Sequence, residues 1–315
     1  MLCALLDRLP GPVPEHVAAG LLSATRAAVL TAALVLIPGS LTGDGPAPGT
    51  LALPVASRWA PAAQATITPG VQMVTRGAQC SGNFVFTDAR RRVYVGYAAH
   101  CAGLGEATDT NGCRTRSVPI GTRVRFAENM TLASHGTTRG YGRLAYSSWV
   151  NMRKRGLAGG PRCDYNDFAL VRVESRYVGR VNPSVPFWGG PTRVGPGRLA
   201  PGHRVFSYGS SGLRAGLSAL GPKTGASLGQ SGGGWTHQAY TVTPGVPGDS
   251  GSGFLDGRGR AFGVLSTVAV APLPASNGIG DLARELAYAQ RWSGIPGLRL
   301  VPGTRPFSKV STPAP

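Results

Sequence analysis

Glycine and proline set the first limit on this chain: 47 glycines and 26 prolines make up about 23% of its 315 residues. Glycine weakens a helix and proline breaks one, so this density excludes a coiled coil and a helical bundle. An apolar fraction of 42% with only 15% charged residues also excludes a collagen or a mostly disordered chain. Short strands joined by tight turns accommodate both residues. A large all-β unit is the expectation.

The charge is lopsided, with 32 Lys+Arg against 14 Asp+Glu, a formal +18 and a sequence pI near 10.8. Clustered bases would point to nucleic acid, but these are scattered, and only 90–92 and 153–155 form short runs. Only Lys154, Lys223 and Lys309 are lysines, so an Arg-rich, Ala/Gly/Pro-rich chain reads as one shaped by coding bias. No specific nucleic acid is expected. Association with anionic cell-wall polymers is the partner reading left to the charge.

Residues 27–37 form an apolar run that follows Arg26 and precedes Pro38 and Gly39. It is too short to span a bilayer and suits a signal-peptide core, so export to the extracellular space is expected. Cleavage could follow Ala65 or fall near Ala47, and residues 1–65 are read as signal peptide and Pro/Ala/Gly-rich leader. Cys3 falls in that leader, which leaves Cys80, Cys101, Cys113 and Cys163, an even set for an oxidising compartment. Three pairings are open. Cys80 with Cys101 and Cys113 with Cys163 is favoured, because the first bond would join two strand ends beside His100. Neither the cysteine spacing nor any histidine pair suits zinc, and no metal or other cofactor is expected.

Short strands are predicted at 71–74, 84–87, 93–98, 122–126, 143–147 and 168–173, then at 204–208, 239–242, 253–255 and 261–270. The Pro/Gly-rich stretch from Asn182 to Pro201 reads as a crossing linker. Only the segment from Asp281 to Trp292 has a helical pattern, with Leu282, Leu286 and Ala289 on one face and Asp281 as N-cap. The resulting plan is an N-terminal β lobe over residues 66–180, a C-terminal β lobe with terminal helix over 181–303, and a tail over 304–315.

Three segments carry chemistry. Pro247-Gly-Asp-Ser-Gly-Ser252 presents Ser250 on a glycine-flanked turn, where backbone N–H groups can converge. A serine hydroxyl needs a base to take its proton and a site for the developing negative charge. His100 ends an alternating strand, Val93-Tyr-Val-Gly-Tyr-Ala-Ala-His-Cys101, and Asp167 opens another, Tyr165-Asn-Asp-Phe-Ala-Leu-Val-Arg-Val173. They supply nucleophile, base and orienting acid. Asp164 competes with Asp167, which is preferred because Phe-Ala-Leu-Val follows it directly. His135, His203 and His237 read as surface or satisfied core residues.

With Ala-Ala-His100-Cys, Asn-Asp167-Phe-Ala-Leu-Val and Gly-Asp-Ser250-Gly-Ser in that order, residues 67–303 resemble the chymotrypsin-like (trypsin-like) serine proteases, specifically the secreted actinobacterial type. The resemblance implies two packed six-stranded antiparallel β-barrels with the cleft between them, a C-terminal helix and no cofactor. It implies an endopeptidase in which His100 is general base, Asp167 orients it and Ser250 attacks the carbonyl. The N–H groups of Gly248 and Ser250 would form the oxyanion hole, and Ser266 matches the serine of the substrate-binding strand, followed by Thr267 and Val268. Asp249 reads as structural, holding the Ser250 loop through a buried ion pair with an internal arginine such as Arg143. No Ile-Val-Gly-Gly start supports activation by insertion of a new N-terminus. A monomer acting on protein or peptide substrates is expected.

Chain order removes two rivals. Gly229-Gln-Ser-Gly-Gly233 fits GxSxG, but no acid lies between Ser231 and His237, and its surroundings suggest a flexible surface loop. A subtilisin-like order would need Asp88, too close to His100 in sequence. Cleavage after Arg or Lys needs a carboxylate six residues before the nucleophile; Pro244 stands there, among Thr243, Gly245 and Val246. With Val268 to Pro272 on the pocket strand, a small or apolar side chain is expected at the primary site. The alternatives kept are an esterase of the same fold and an inactive module binding anionic polymers.

Overall fold

The computed structural model describes residues 58–105, 109–269 and 276–310. The leader segment with the apolar run at 27–37, and Cys3, lie outside them. Among the described residues no helix is long and apolar enough to cross a membrane.

The first lobe is a continuous antiparallel sheet. Its strands are β1 (Gln72–Thr75), β2 (Ala78–Ser81), β3 (Val85–Thr87), β4 (Val93–Tyr97), β5 (Arg123–Glu128), β6 (Thr137–Ser147) and β7 (Ala169–Val173), with α1 (Ser148–Lys154) and α2 (Pro161–Tyr165) between the last two. The second lobe holds β8 (Arg204–Tyr208), β9 (Pro222–Ser231), β10 (Thr236–Val242), β11 (Gly253–Asp256), β12 (Ala261–Ala269) and β13 (Ser276–Asp281). Helix α3 (Leu282–Trp292) and β14 (Arg299–Leu300) follow.

The second lobe closes into a six-stranded barrel, ordered β10-β13-β12-β11-β8-β9, around Val205, Ala239, Phe254, Phe262, Leu265 and Ile279. The first is an eight-stranded sheet, β14-β3-β4-β7-β6-β5-β1-β2. Its extra strand comes from the far end of the chain, where Arg299 and Leu300 pair with Thr87 and Phe86. The all-β expectation therefore holds; of the two six-stranded barrels expected, the second lobe is one, and the first is an eight-stranded antiparallel sheet because β14 adds to it. Strand β4 is buried along its whole length, so the alternation of Val93-Tyr-Val-Gly-Tyr97 does not mark a face in water. In β6, exposure falls and rises along the strand because one face meets water.

Helix α3 begins as the sequence predicts: the Asp281 side chain accepts the Arg284 N–H, and Leu282, Leu286 and Ala289 are buried. It packs on α1 of the first lobe, where Tyr288 donates to Asn151 and Asn151 donates to the Trp292 carbonyl. The short α1 and α2 were not legible as helices. Ser147 caps α1, and α2 is a single turn opened by Pro161. Gly229 to Ser231, expected in a loop, form the end of β9 and pair with β10.

Candidate active site

Antiparallel pairing of β4 with β7 brings two of the predicted residues together. Tyr97 faces Ala169, so His100, just past the end of β4, meets Asp167, just before the start of β7. The Asp167 carboxylate accepts the His100 main-chain N–H at Oδ1 (2.8 Å) and faces His100 Nδ1 at Oδ2 (2.6 Å). Asp164 does not reach the histidine; its Oδ1 accepts from Asn111 Nδ2.

The second lobe approaches through β11 and β12. Gly253 pairs with Val264, while Gly251 and Leu265 continue the contact by main-chain bonds to the Ser250 loop. Ser266 then lies beside that loop, and its hydroxyl donates to Asp167 Oδ2 at 2.5 Å, linking the lobes at the carboxylate. Ser250 is pinned from the other side: its carbonyl accepts the Ser81 N–H at 2.8 Å. Ser81 follows Cys80, which is disulfide-bonded to Cys101, the neighbour of His100. The second disulfide joins Cys113 to Cys163. A ring nitrogen of His100 lies within 4.8 Å of both sulfurs of the first, but bonded sulfurs offer no thiolate to a metal. Among the described residues the ring's hydrogen bond goes to Asp167, and none joins it to Ser250 Oγ.

The Ser250 loop needs two left-handed residues, and glycine fills both, Gly248 at φ +94° and Gly251 at φ +87°. A side chain at Gly251 would meet the Ala98 nitrogen at 2.8 Å. The Gly248 carbonyl is held by Gln79 Nε2 (3.0 Å) and Ser81 Oγ (2.9 Å). Among the described residues the N–H groups of Gly248 and Ser250 donate to no protein acceptor.

Burial by itself would lower the His100 pKa, but the Asp167 charge and hydrogen bond outweigh it and raise the ring above 6.5. Burial would raise Asp167, yet the facing His100, the Ser266 hydroxyl and the main-chain bond hold it below the usual carboxylate value. The pair thus favours imidazolium beside carboxylate.

Asp249 is fully buried as the motif implied, but Arg143 is not its partner. Arg143 donates to the Gly121 carbonyl on the exposed face of β6. Asp249 Oδ2 lies 2.7 Å from Arg214 Nη2 and 2.8 Å from Lys223 Nζ, and Oδ1 accepts the Ser211 N–H. The Lys223 side chain has no exposure, and burial lowers its pKa against the pull of Asp249.

Glu285 is the other residue that sequence reading missed. Fully buried on α3, its Oε1 accepts the Asp167 N–H at 2.9 Å. Burial drives its carboxyl well above the ordinary value, with Asp167 and Asp281 adding to the rise. The available signal was a carboxylate on the same helical face as Leu282, Leu286 and Ala289.

Of the residues expected to line the primary site, Pro244 is exposed and its carbonyl accepts from Arg214, while Gly245 donates to buried Asn277. Thr267 is half-buried and pairs with Gly278. The Val268 side chain and residues 270–275 lie outside the described structure. Asp88, the rejected subsilisin-order acid, is bound by Arg92 and Tyr94. His237 is a core residue facing Asp281. A larger cavity, of about 580 Å³, lies against Ser211 and Arg214 and touches none of His100, Asp167 or Ser250.

No family model matches the chain, and no curated protein matches it significantly. Among solved structures it is similar to Thermobifida fusca protease A, at 20% identity over 76% of this chain and 100% of that one, TM-score 0.45. A Nocardiopsis protease is also 20% identical over 74% and 98%, TM-score 0.44. Cellulomonas bogoriensis chymotrypsin is 18% identical over 75% and 98%, TM-score 0.41.

Proposed function

We propose that this chain is an exported serine endopeptidase that cleaves peptide bonds through Ser250, His100 and Asp167. The observation that carries this reading is the Asp167 carboxylate, which orients His100 through two hydrogen bonds and is tied by Ser266 to the lobe that bears Ser250. Ser250 Oγ adds to the substrate carbonyl carbon as His100 Nε2 takes its proton. The carbonyl oxygen becomes an oxyanion, stabilised by the N–H groups of Gly248 and Ser250. The C–N bond then breaks, His100 returns the proton to the leaving amine, and an acyl ester remains on Ser250. Water, deprotonated by His100, adds to that ester, and the acyl C–Oγ bond breaks as His100 returns the proton to Ser250 Oγ, releasing the acid. Asp167 stays ionised throughout and steadies the imidazolium. Proline at 244 in place of a carboxylate, between Thr243 and Gly245, favours a small or apolar residue at the cleaved position.

A fluorophosphonate probe should label the oxidised, folded protein at Ser250, and Ser250→Ala should abolish labelling. No labelling of correctly oxidised protein would remove the catalytic reading.

One observation favours a secondary role for the charge. Arg123 lies directly opposite Arg143, and Arg143 opposite Arg172, on the outer face of the first sheet. Like charges in direct cross-strand register destabilise a sheet, so this row fits a surface that meets anionic wall polymers. Salt-sensitive retention on such polymers, unchanged in Ser250→Ala, tests it.

A further inference from the structure

A cavity of about 280 Å³ borders the site on the side of β12. Ser266 and Thr267 form one wall, Asp164 and Tyr165 another, and Thr236 and Gln238 close it. A volume below that of common drug-sized pockets suits a single side chain. Beyond Val264, β12 has no β11 partner, although it remains paired with β13 to Ala269. This leaves a main-chain edge beside the Ser250 loop on which an extended peptide can lie. A peptide on that edge carries one of its side chains past the mouth of the cavity.

The lining has one charge and no counter-charge. Asp164 uses Oδ1 to accept from Asn111, while Oδ2 has no hydrogen-bond partner among the described residues. Gln238 Oε1 is a buried acceptor with no donor. Behind Ser266 stands the Asp167 carboxylate. Among the described residues no Lys or Arg lines the cavity, in a chain with 32 of them. Arg162, close by in sequence, directs its guanidinium over the rings of Trp235 and Tyr288. The rim is rigid: Cys163, next to Asp164, is bonded to Cys113, and the Gly112 N–H donates to the Cys163 carbonyl. A preformed cavity with unsatisfied acceptors is matched by a cationic donor.

We propose that this cavity is a secondary subsite that takes a Lys or Arg side chain of the substrate, at a position other than the cleaved residue, with Asp164 as its counter-ion. The proposal rests on the peptidase reading above. It narrows the substrate class to peptides with a base near, but not at, the scissile bond.

The test is a peptide library cleaved by the full oxidised protein, with Lys, Arg, Gln, Leu and Glu varied at each position flanking the bond. The expected result is a preference for Lys or Arg over Gln of about 10- to 100-fold at one position not adjacent to the bond, the range of a charge-assisted hydrogen bond. Asp164→Asn should bring that ratio close to one, and Asp164→Lys should turn it toward Glu. Each ratio is internal to one protein, so it is insensitive to partial loss of folded enzyme. Cleavage with no basic preference in the wild type, or a preference kept in Asp164→Asn, overturns the subsite and leaves the peptidase reading standing. No cleavage of any library member overturns both.

Discussion

The buried charges behind the Ser250 loop allow a sharp test of what holds that loop. Asp249 has no exposure and faces two cations, Arg214 at 2.7 Å and Lys223 at 2.8 Å. Asp249→Asn removes the anion and leaves two like charges buried together. Removing one member of a buried ion pair costs about 3–5 kcal/mol. At about 2–4 °C per kcal/mol for a domain of this size, the melting temperature should fall by roughly 6–20 °C. Lys223→Met acts on the same cluster with the opposite logic. It removes the surplus cation, whose burial already depresses its pKa, and leaves Asp249 paired with Arg214. Its loss should be smaller than that of Asp249→Asn, because Asp249 keeps Arg214 as its partner and no buried charge is left unpaired. Urea unfolding midpoints and slopes, read in a Ser250→Ala background to prevent self-digestion, give the comparison. Equal losses for the two variants, or a loss below about 1 kcal/mol for Asp249→Asn, would refute the charge-balance argument.

Two further outcomes follow from the site. His100 must be neutral to accept a proton, and Asp167 raises its pKa, so kcat/KM should fall as pH drops through an inflection above 6.5. Asp167→Asn should lower kcat by on the order of 10⁴-fold and shift that inflection downward; an unmoved inflection would show that Asp167 does not set it. The same raised pKa stabilises the fold below 6.5, and this contribution is lost as pH rises through the folded value. Glu285, buried with its carboxyl pushed well above the ordinary value, should tolerate Glu285→Gln, which keeps an acceptor for the Asp167 N–H, whereas Glu285→Leu orphans that donor at a cost of about 1–3 kcal/mol. Equal melting temperatures for the two variants would remove that role.

The chain order of His100, Asp167 and Ser250, the glycines at Gly248 and Gly251, and the cap at Asp281 were all legible in the sequence, because each depends on neighbours within a few residues. Strand ends announce themselves by where apolar alternation stops, and left-handed turns by glycine. The first-lobe helices were not, since α1 and α2 are too short to show a period and owe their form to Ser147, Pro161 and the Cys113–Cys163 bond.

Tertiary structure decided what no local pattern records. Sequence could state that Asp249 needs a cation and offered an internal arginine such as Arg143; only the closing of the barrel by β8 and β9 brings Arg214 and Lys223 to the carboxylate. Glu285 is 118 residues from Asp167, and only the return of α3 onto the first lobe makes it that residue's acceptor. The strand Arg299–Leu300 likewise had no visible partner until the chain came back to β3. Local chemistry fixes which groups a segment can present; long-range pairing, driven by burial of the whole sheet, fixes which groups they meet.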